Sequence, residues 1–234
     1  AFGVHVIDFE MATTPSMFMA TQFEEFNCDA TVMFTASHLP YYYNGLKFFT
    51  REGGLESSDI RDIIALVDEK EELPQGSVST IEVKSIFERY SRHLVELICK
   101  GSQSEKEKPL EGLHIIVDAG NGAGGFFAKS VLEELGAKTE GSQFLDPDGT
   151  FPNHIPNPDN KEAMESIKKQ VLAVNADYGV IFDTDVDRAA VVTGSGELLN
   201  RNNLIAVLSV IVISEHPGTT IVTNSPTTEH LKKF

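Results

Sequence analysis

Cysteine is nearly missing from this chain: Cys28 and Cys99 are its only two among 234 residues. With no signal peptide in view, they read as buried or idle thiols of a reducing compartment, not as a disulfide framework. Basic residues are also few, 19 Lys and Arg against 35 Asp and Glu. The resulting net charge of −16 would repel a nucleic-acid backbone or an anionic membrane surface, so neither is expected as a partner. No apolar run approaches the roughly 20 residues that span a bilayer. The longest, LIAVLSVIVIS at 204–214, reads as a core helix or strand. There is no internal sequence repeat and no initiating Met. Because AFGVHVID enters a strand-like stretch almost at once, the chain is expected to have been cut from something longer. What is present, 41% hydrophobic and 23% charged residues, suits a globular protein with enough chain for one or two cores.

The periodicity predicts an α/β protein. GVHVID reads as a strand, PSMFMATQFEEF as a helix with Pro15 in its first turn, and ATVMFTA as a second strand, an order that implies a parallel crossover. LKFFT follows as a strand and SSDIRDIIALVDEKE as a helix ending before Pro74, with LPQGS at 73–77 as a linker. From Thr80 to Lys100 the apolar residues fall at the spacing of one helix face. LHIIVDA, a glycine turn, FFAKSVLEELG and AKTEGSQFL form a second strand-helix-strand unit. After the proline-rich loop DPDGTFPNHIPNPDN come the helix KEAMESIKKQVLAVN and the strand YGVIF. NNLIAVLSVIVIS as helix, TTIVTNS as strand and SPTTEHLKKF as the start of a helix complete the reading.

Three motifs carry chemistry. VDAGNGAGG sets Gly120, Gly122 and Gly125 in G-x-G-x-x-G spacing between a strand and a helix, with Asp146 about 20 residues on as a dinucleotide fingerprint would require. The competing reading is a tight turn that lets helix and sheet pack closely, and Asp146 belongs to a DPDG turn. DTDVDR follows an apolar strand and can gather Asp183, Asp185 and Asp187 around one point, where they repel unless a cation lies between them. An all-oxygen set favours Mg²⁺, Ca²⁺ or Mn²⁺. An EF-hand is excluded, because its sixth and twelfth positions would be Arg188 and Gly194 in place of Gly and Glu. The competing reading is a solvated acidic turn, weakened by Arg188, whose planar fork suits carboxylates or a phosphate. Last, TASHLPYYYNGLKFF at 35–49 places Ser37 beside His38 and, past the Asn44-Gly45 turn, Lys47, which that turn could fold back toward the serine. Singly, each of these has an ordinary structural reading.

TASHLPYYYNGLK resembles the active-site serine signature of the α-D-phosphohexomutases, T-A-S-H-N-P-x-x-x-N-G-x-K, and DTDVDR is similar to that family's metal loop, D-G-D-x-D-R. The order and separation also match, with a family-like DGTFPNHIPNPDN loop between them. The resemblance implies repeated α/β sandwich domains with mixed or parallel sheets, here truncated. Residues 1–75 would be the later part of domain I, 76–198 domain II and 199–234 the opening of domain III. It further implies a phosphoserine at Ser37, which exchanges a phosphoryl group with a hexose monophosphate through a hexose 1,6-bisphosphate. Mg²⁺ would be bound by Asp183, Asp185, Asp187 and a Ser37 phosphate oxygen. His38 and Lys47 would act in proton transfer or positioning, and Arg188 in phosphate binding. The partners it implies are a sugar phosphate and the remaining domains of a full-length enzyme, in the cytoplasm, or in an organelle such as a plastid if a transit peptide has been removed.

Two departures stand out: Leu39 replaces the usual Asn of the serine loop, and Thr184 the usual Gly of the metal loop. The family's N-terminal active-site Arg segment, sugar-selecting loop and distal phosphate loop do not occur in the chain, so the hexose is not specified by what is present. A non-catalytic relative, with Ser37 and the acidic loop serving binding or regulation, is the alternative, followed by a dinucleotide-binding oxidoreductase.

Overall fold

The computed structural model describes residues 3–68, 80–102, 104–199 and 201–222. Strand β1 (His5–Asp8) leads to helix α1 (Thr14–Ala20), which starts on a capping box: Thr13 accepts from the Ser16 N–H, Ser16 Oγ accepts from the Thr13 N–H, and Pro15 fits the first turn. The helix is shorter than PSMFMATQFEEF predicts, because turns begin at Thr21, whose hydroxyl donates back to the Phe18 carbonyl. Strands β2 (Ala30–Phe34), β3 (Leu46–Thr50) and β4 (Gly53–Gly54) form an antiparallel sheet in that order, followed by helix α2 (Ser57–Asp68). The predicted linker at 73–77 lies outside the described residues.

Two expectations for this half are corrected. β1 and β2 are not joined by a parallel crossover: β1 pairs in parallel with β5 (Thr80–Val83), and β2 belongs to the other sheet. Nor is Thr80–Lys100 one helix, since helix α3 (Phe87–Ser102) begins only after β5. The β-branched Thr80, Ile81 and Val83 find parallel partners on β1, and that tertiary pairing overrides the helical spacing. Ile86 and Tyr90, at the start of α3, are buried with Phe9, Met17, Phe23, Phe26 and Met33 in the first core.

Strands β6 (Ile115–Asp118), β7 (Tyr178–Phe182) and β8 (Ala189–Thr193) make the third sheet, β6 and β7 parallel, β7 and β8 antiparallel. β8 was not anticipated from the sequence. β6 is buried throughout, as a strand covered on both faces requires. Helix α4 (Lys161–Val174) covers one face through Ala163, Ile167 and Val171; Asn160 caps its start and Asn175, left-handed at φ 51°, its end.

The opposite face is covered by Ala128 and Leu132, but FFAKSVLEELG is not the predicted regular helix. A 3₁₀ turn (Ala123–Gly125) precedes it, and most of its helical part is π-helical (Ala128–Glu133). A Cβ on Gly124 would stand 2.8 Å from the Phe182 ring, so the turn is pressed onto β7. AKTEGSQFL contributes only two parallel bridges to this sheet, His114 with Lys138 and Asp118 with Gln143, and is not a full strand. Helix α5 (Arg201–Glu215) exposes Val207, Leu208, Val210, Ile211, Val212 and Ile213. Residues 219–222 carry no strand, and the rest of TTIVTNS and all of SPTTEHLKKF lie outside the described residues. No described helix is long and apolar enough to cross a membrane.

Candidate active site

The serine loop hangs from the β2–β3 hairpin. Met33 pairs with Lys47 across it, and the Thr35 N–H donates to the Gly45 carbonyl at 3.0 Å. Gly45 is needed there, because a Cβ would lie 2.6 Å from the Thr35 carbonyl oxygen. Ser37 is left-handed at φ 53°, an uncommon conformation for a residue with a side chain, and its N–H donates to Thr35 Oγ1 at 2.8 Å. Its hydroxyl lies 3.3 Å from His38 Nδ1.

The acidic loop connects β7 to β8. Its one left-handed residue is Val186, at φ 64°, a strained value for a β-branched side chain. Thr184 has no positive φ, so the turn does not depend on a glycine at that position. Asp183 and Asp185 are buried, Asp187 is exposed, and one oxygen from each lies within 4.8 Å of the others.

Each carboxylate has different partners. Asp183 Oδ1 accepts from the Arg188 N–H and Oδ2 from Arg188 Nε, both at 3.0 Å. Burial still pushes its carboxyl up to about 6, helped by the neighbouring Asp185 and Asp187. Asp185 Oδ2 accepts from Thr14 Oγ1 at 2.6 Å, Lys47 Nζ at 2.7 Å and Thr35 Oγ1 at 3.1 Å. Burial would raise this carboxyl, but those donors outweigh it and hold it below the usual range. Its Oδ1 is buried without any hydrogen-bond partner. Lys47 Nζ also donates to Asp187 Oδ2 at 2.8 Å; burial would lower its pKa, but the two carboxylates leave it raised, so the group is an ammonium.

Arg188 joins the two loops. From Asp183 its Nη2 reaches Ser37 Oγ at 3.1 Å and His38 Nδ1 at 2.6 Å, while Nη1 donates to Asn157 Oδ1 at 3.2 Å. Since a guanidinium only donates, His38 Nδ1 presents a lone pair to it. Ser37, His38, Lys47, Asp183, Asp185, Asp187 and Arg188 are thus brought together, though Lys47 contacts the carboxylates rather than folding back onto the serine. Three participants escaped sequence reading. Thr35 was available in TASH, but Thr14 and Asn157 give no local sign of their partners 171 and 31 residues away.

An all-oxygen donor set with one buried, unpartnered carboxylate oxygen fits a hard divalent cation. A dinucleotide fits poorly. The Ala123 N–H donates to the Thr184 carbonyl at 2.8 Å, and a Cβ on Gly122 would stand 2.6 Å from that oxygen. The glycine turn is filled by the acidic loop where a pyrophosphate would have to approach, and the following 3₁₀ turn is only three residues long. Beside Ser37 lies a cavity of about 300 Å³ whose walls include Leu39, Tyr41, Tyr43, Asn121, Asp148 and Phe151.

Residues 1–74 match the family model described as phosphoglucomutase/phosphomannomutase, alpha/beta/alpha domain I, and residues 88–196 the model for alpha/beta/alpha domain II. The chain is 32% identical over 229 residues to a phosphomannomutase/phosphoglucomutase of Pseudomonas aeruginosa, covering 98% of this chain and 46% of that protein. A phosphoglucomutase of Neisseria meningitidis is 29% identical over 221 residues, with 94% and 45% covered. A solved phosphoglucomutase/phosphomannomutase family protein from Burkholderia thailandensis superposes with a TM-score of 0.79 at 28% identity, over 93% of this chain and 46% of that one. The chain spans about half the length of the curated relatives it matches.

Proposed function

Because the chain belongs to the phosphoglucomutase/phosphomannomutase family, we propose that it is the phosphoryl-carrying portion of a phosphohexomutase, which moves a phosphate between C1 and C6 of a hexose. The observation that carries this reading is the Arg188 guanidinium, which spans from buried Asp183 to the Ser37 hydroxyl across 151 residues of sequence. It puts a fixed cation where a phosphate on Ser37 would stand.

Ser37 is the phosphoryl carrier. In the forward step the bond from phosphorus to Ser37 Oγ breaks with its electron pair returning to the serine oxygen, a new P–O bond forms to a sugar hydroxyl, and the proton that hydroxyl gives up is matched by the one the serine oxygen takes, giving a hexose 1,6-bisphosphate. The reverse transfer from the other end of that intermediate restores the phosphoserine. His38, with a lone pair on Nδ1 beside Ser37 Oγ, exchanges the serine proton. Lys47, an ammonium between Asp185 and Asp187, positions charge beside the transferring group or takes part in proton transfer. Mg²⁺ held by Asp183, Asp185, Asp187 and a phosphoserine oxygen would act as a Lewis acid that offsets charge on the transferring group. Residues 1–75, 76–198 and 199–234 correspond to parts of domains I, II and III. β5 pairs with β1, Ile86 and Tyr90 pack in the first core, and further domains of a full-length enzyme complete the sugar site.

Intact-protein mass after incubation with glucose 1,6-bisphosphate and Mg²⁺ tests this reading. The chain gains one phosphate and the Ser37→Ala variant gains none. If neither takes up phosphate, phosphoryl donation by this chain is refuted.

A further inference from the structure

We propose that Thr14 and Thr35 are positioning residues for the acidic loop: by donating to Oδ2 of Asp185, they occupy that oxygen and leave Oδ1 as the one offered to a divalent cation. The inference rests on the metal-binding reading of DTDVDR and deepens it.

Thr14 is bonded to Asp185 twice, its N–H to the Asp185 carbonyl at 2.8 Å and its hydroxyl to Oδ2 at 2.6 Å. It is the first residue of α1, and the Thr13–Ser16 capping box with Pro15 fixes the backbone from which it reaches. The hydroxyl therefore comes from a rigid element and not from a free loop. Thr35 makes a different link. Its single hydroxyl hydrogen points to Asp185 Oδ2, while its oxygen accepts the Ser37 N–H. One side chain thus couples the backbone of the serine loop to the carboxylate of the acidic loop.

The two oxygens of Asp185 end in opposite conditions. Oδ2 has three donors, whereas Oδ1 is buried with none, and a carboxylate oxygen left so is costly unless something supplies a partner. A rotation of the carboxylate would exchange the two oxygens, and the two threonines resist it. Asp185 itself belongs to the group of three carboxylates that each bring one oxygen within 4.8 Å of the others. Outer residues that orient a ligand in this way contribute to affinity without touching the ion.

The test uses Mn²⁺ as probe, with free ion measured by electron paramagnetic resonance, on the full chain and on two variants. Thr14→Val keeps the branched shape and removes the donor, and Thr14→Ser keeps the donor. Mn²⁺ binding by Thr14→Val should weaken about 10- to 100-fold. Thr14→Ser should restore it, and both should melt close to the native chain in chelator. If Thr14→Val cannot be folded, Thr35→Val gives the same reading from the second donor. Native-like Mn²⁺ affinity in the valine variants, or failure of Thr14→Ser to restore it, overturns the proposal. If the native chain itself binds no Mn²⁺, the metal reading falls and takes the proposal with it, while phosphate uptake at Ser37 stays separately measurable.

Discussion

Asp183 is fully buried with Arg188 wrapped around it, yet burial and the nearness of Asp185 and Asp187 push its carboxyl up to about 6. A cation needs the ionised form, so a proton must leave when one binds. Mn²⁺ affinity is therefore expected to hold above about pH 6 and to fall by about tenfold per pH unit below it. Titration calorimetry across pH 4.5–7.5 would check this, and a flat profile would refute it. The residues of this site were legible by type: three alternating Asp, a Ser-His pair, a Lys past a turn. Their partners were less so. Lys47 was expected to serve the serine and instead lies between Asp185 and Asp187, because the hairpin register opposite Met33 sets where its side chain emerges. Thr184 looked like the difficult backbone position, but the left-handed residue is Val186, two places later. Pairwise contacts over such sequence distances leave no periodic trace in a single chain.

At the scale of elements, α4 and β6 followed their patterns, whereas β5, β8 and the irregular pieces did not. α4 was legible from its apolar spacing and the Asn residues that cap it, and β6 from four apolar or strand-ending residues in a row. At Gly122 and Gly124 the backbone lies too close to the acidic loop and to β7 for a Cβ, and it takes a 3₁₀ turn there, which helical periodicity cannot report. The proline-rich loop is fastened by a buried pair, with His154 Nε2 3.0 Å from Asp118 Oδ2. Burial alone would lower the histidine's pKa, but the bond to Asp118 leaves it raised. A raised value means that the pair's stabilisation is complete below the unfolded histidine pKa of about 6.5 and is lost as pH climbs through the folded value. The melting midpoint should therefore decline as pH rises above about 6.5, by about 2–4 °C for each kcal/mol lost. His154→Gln should flatten that decline. An equal decline in the variant would show that the pair is not its source.

For the whole molecule, the first core closes around Phe9, Phe26 and Ile86, and the second unit has cores on both faces of the β6–β7–β8 sheet. Phe126 bridges them, stacked on Phe87 with ring centroids 4.5 Å apart and packed against the first core. Calorimetry of the native chain should show one transition. Phe126→Ala, at a cost of about 3 kcal/mol, should separate it into two. A single lowered transition would mean that the polar contacts at the acidic loop suffice to join the halves.

Lys47 has one further consequence. An ammonium tethered by its own hairpin is a competing ion that dilution cannot remove, present beside Asp185 and Asp187 at an effective concentration of order millimolar or above. A sodium or potassium ion would merely replace one positive charge with another, against that tethered rival. A doubly charged ion brings more attraction to the same pair of carboxylates. The lysine therefore acts as a threshold that discriminates by valence, and keeps the acidic loop in order until an ion of sufficient charge arrives.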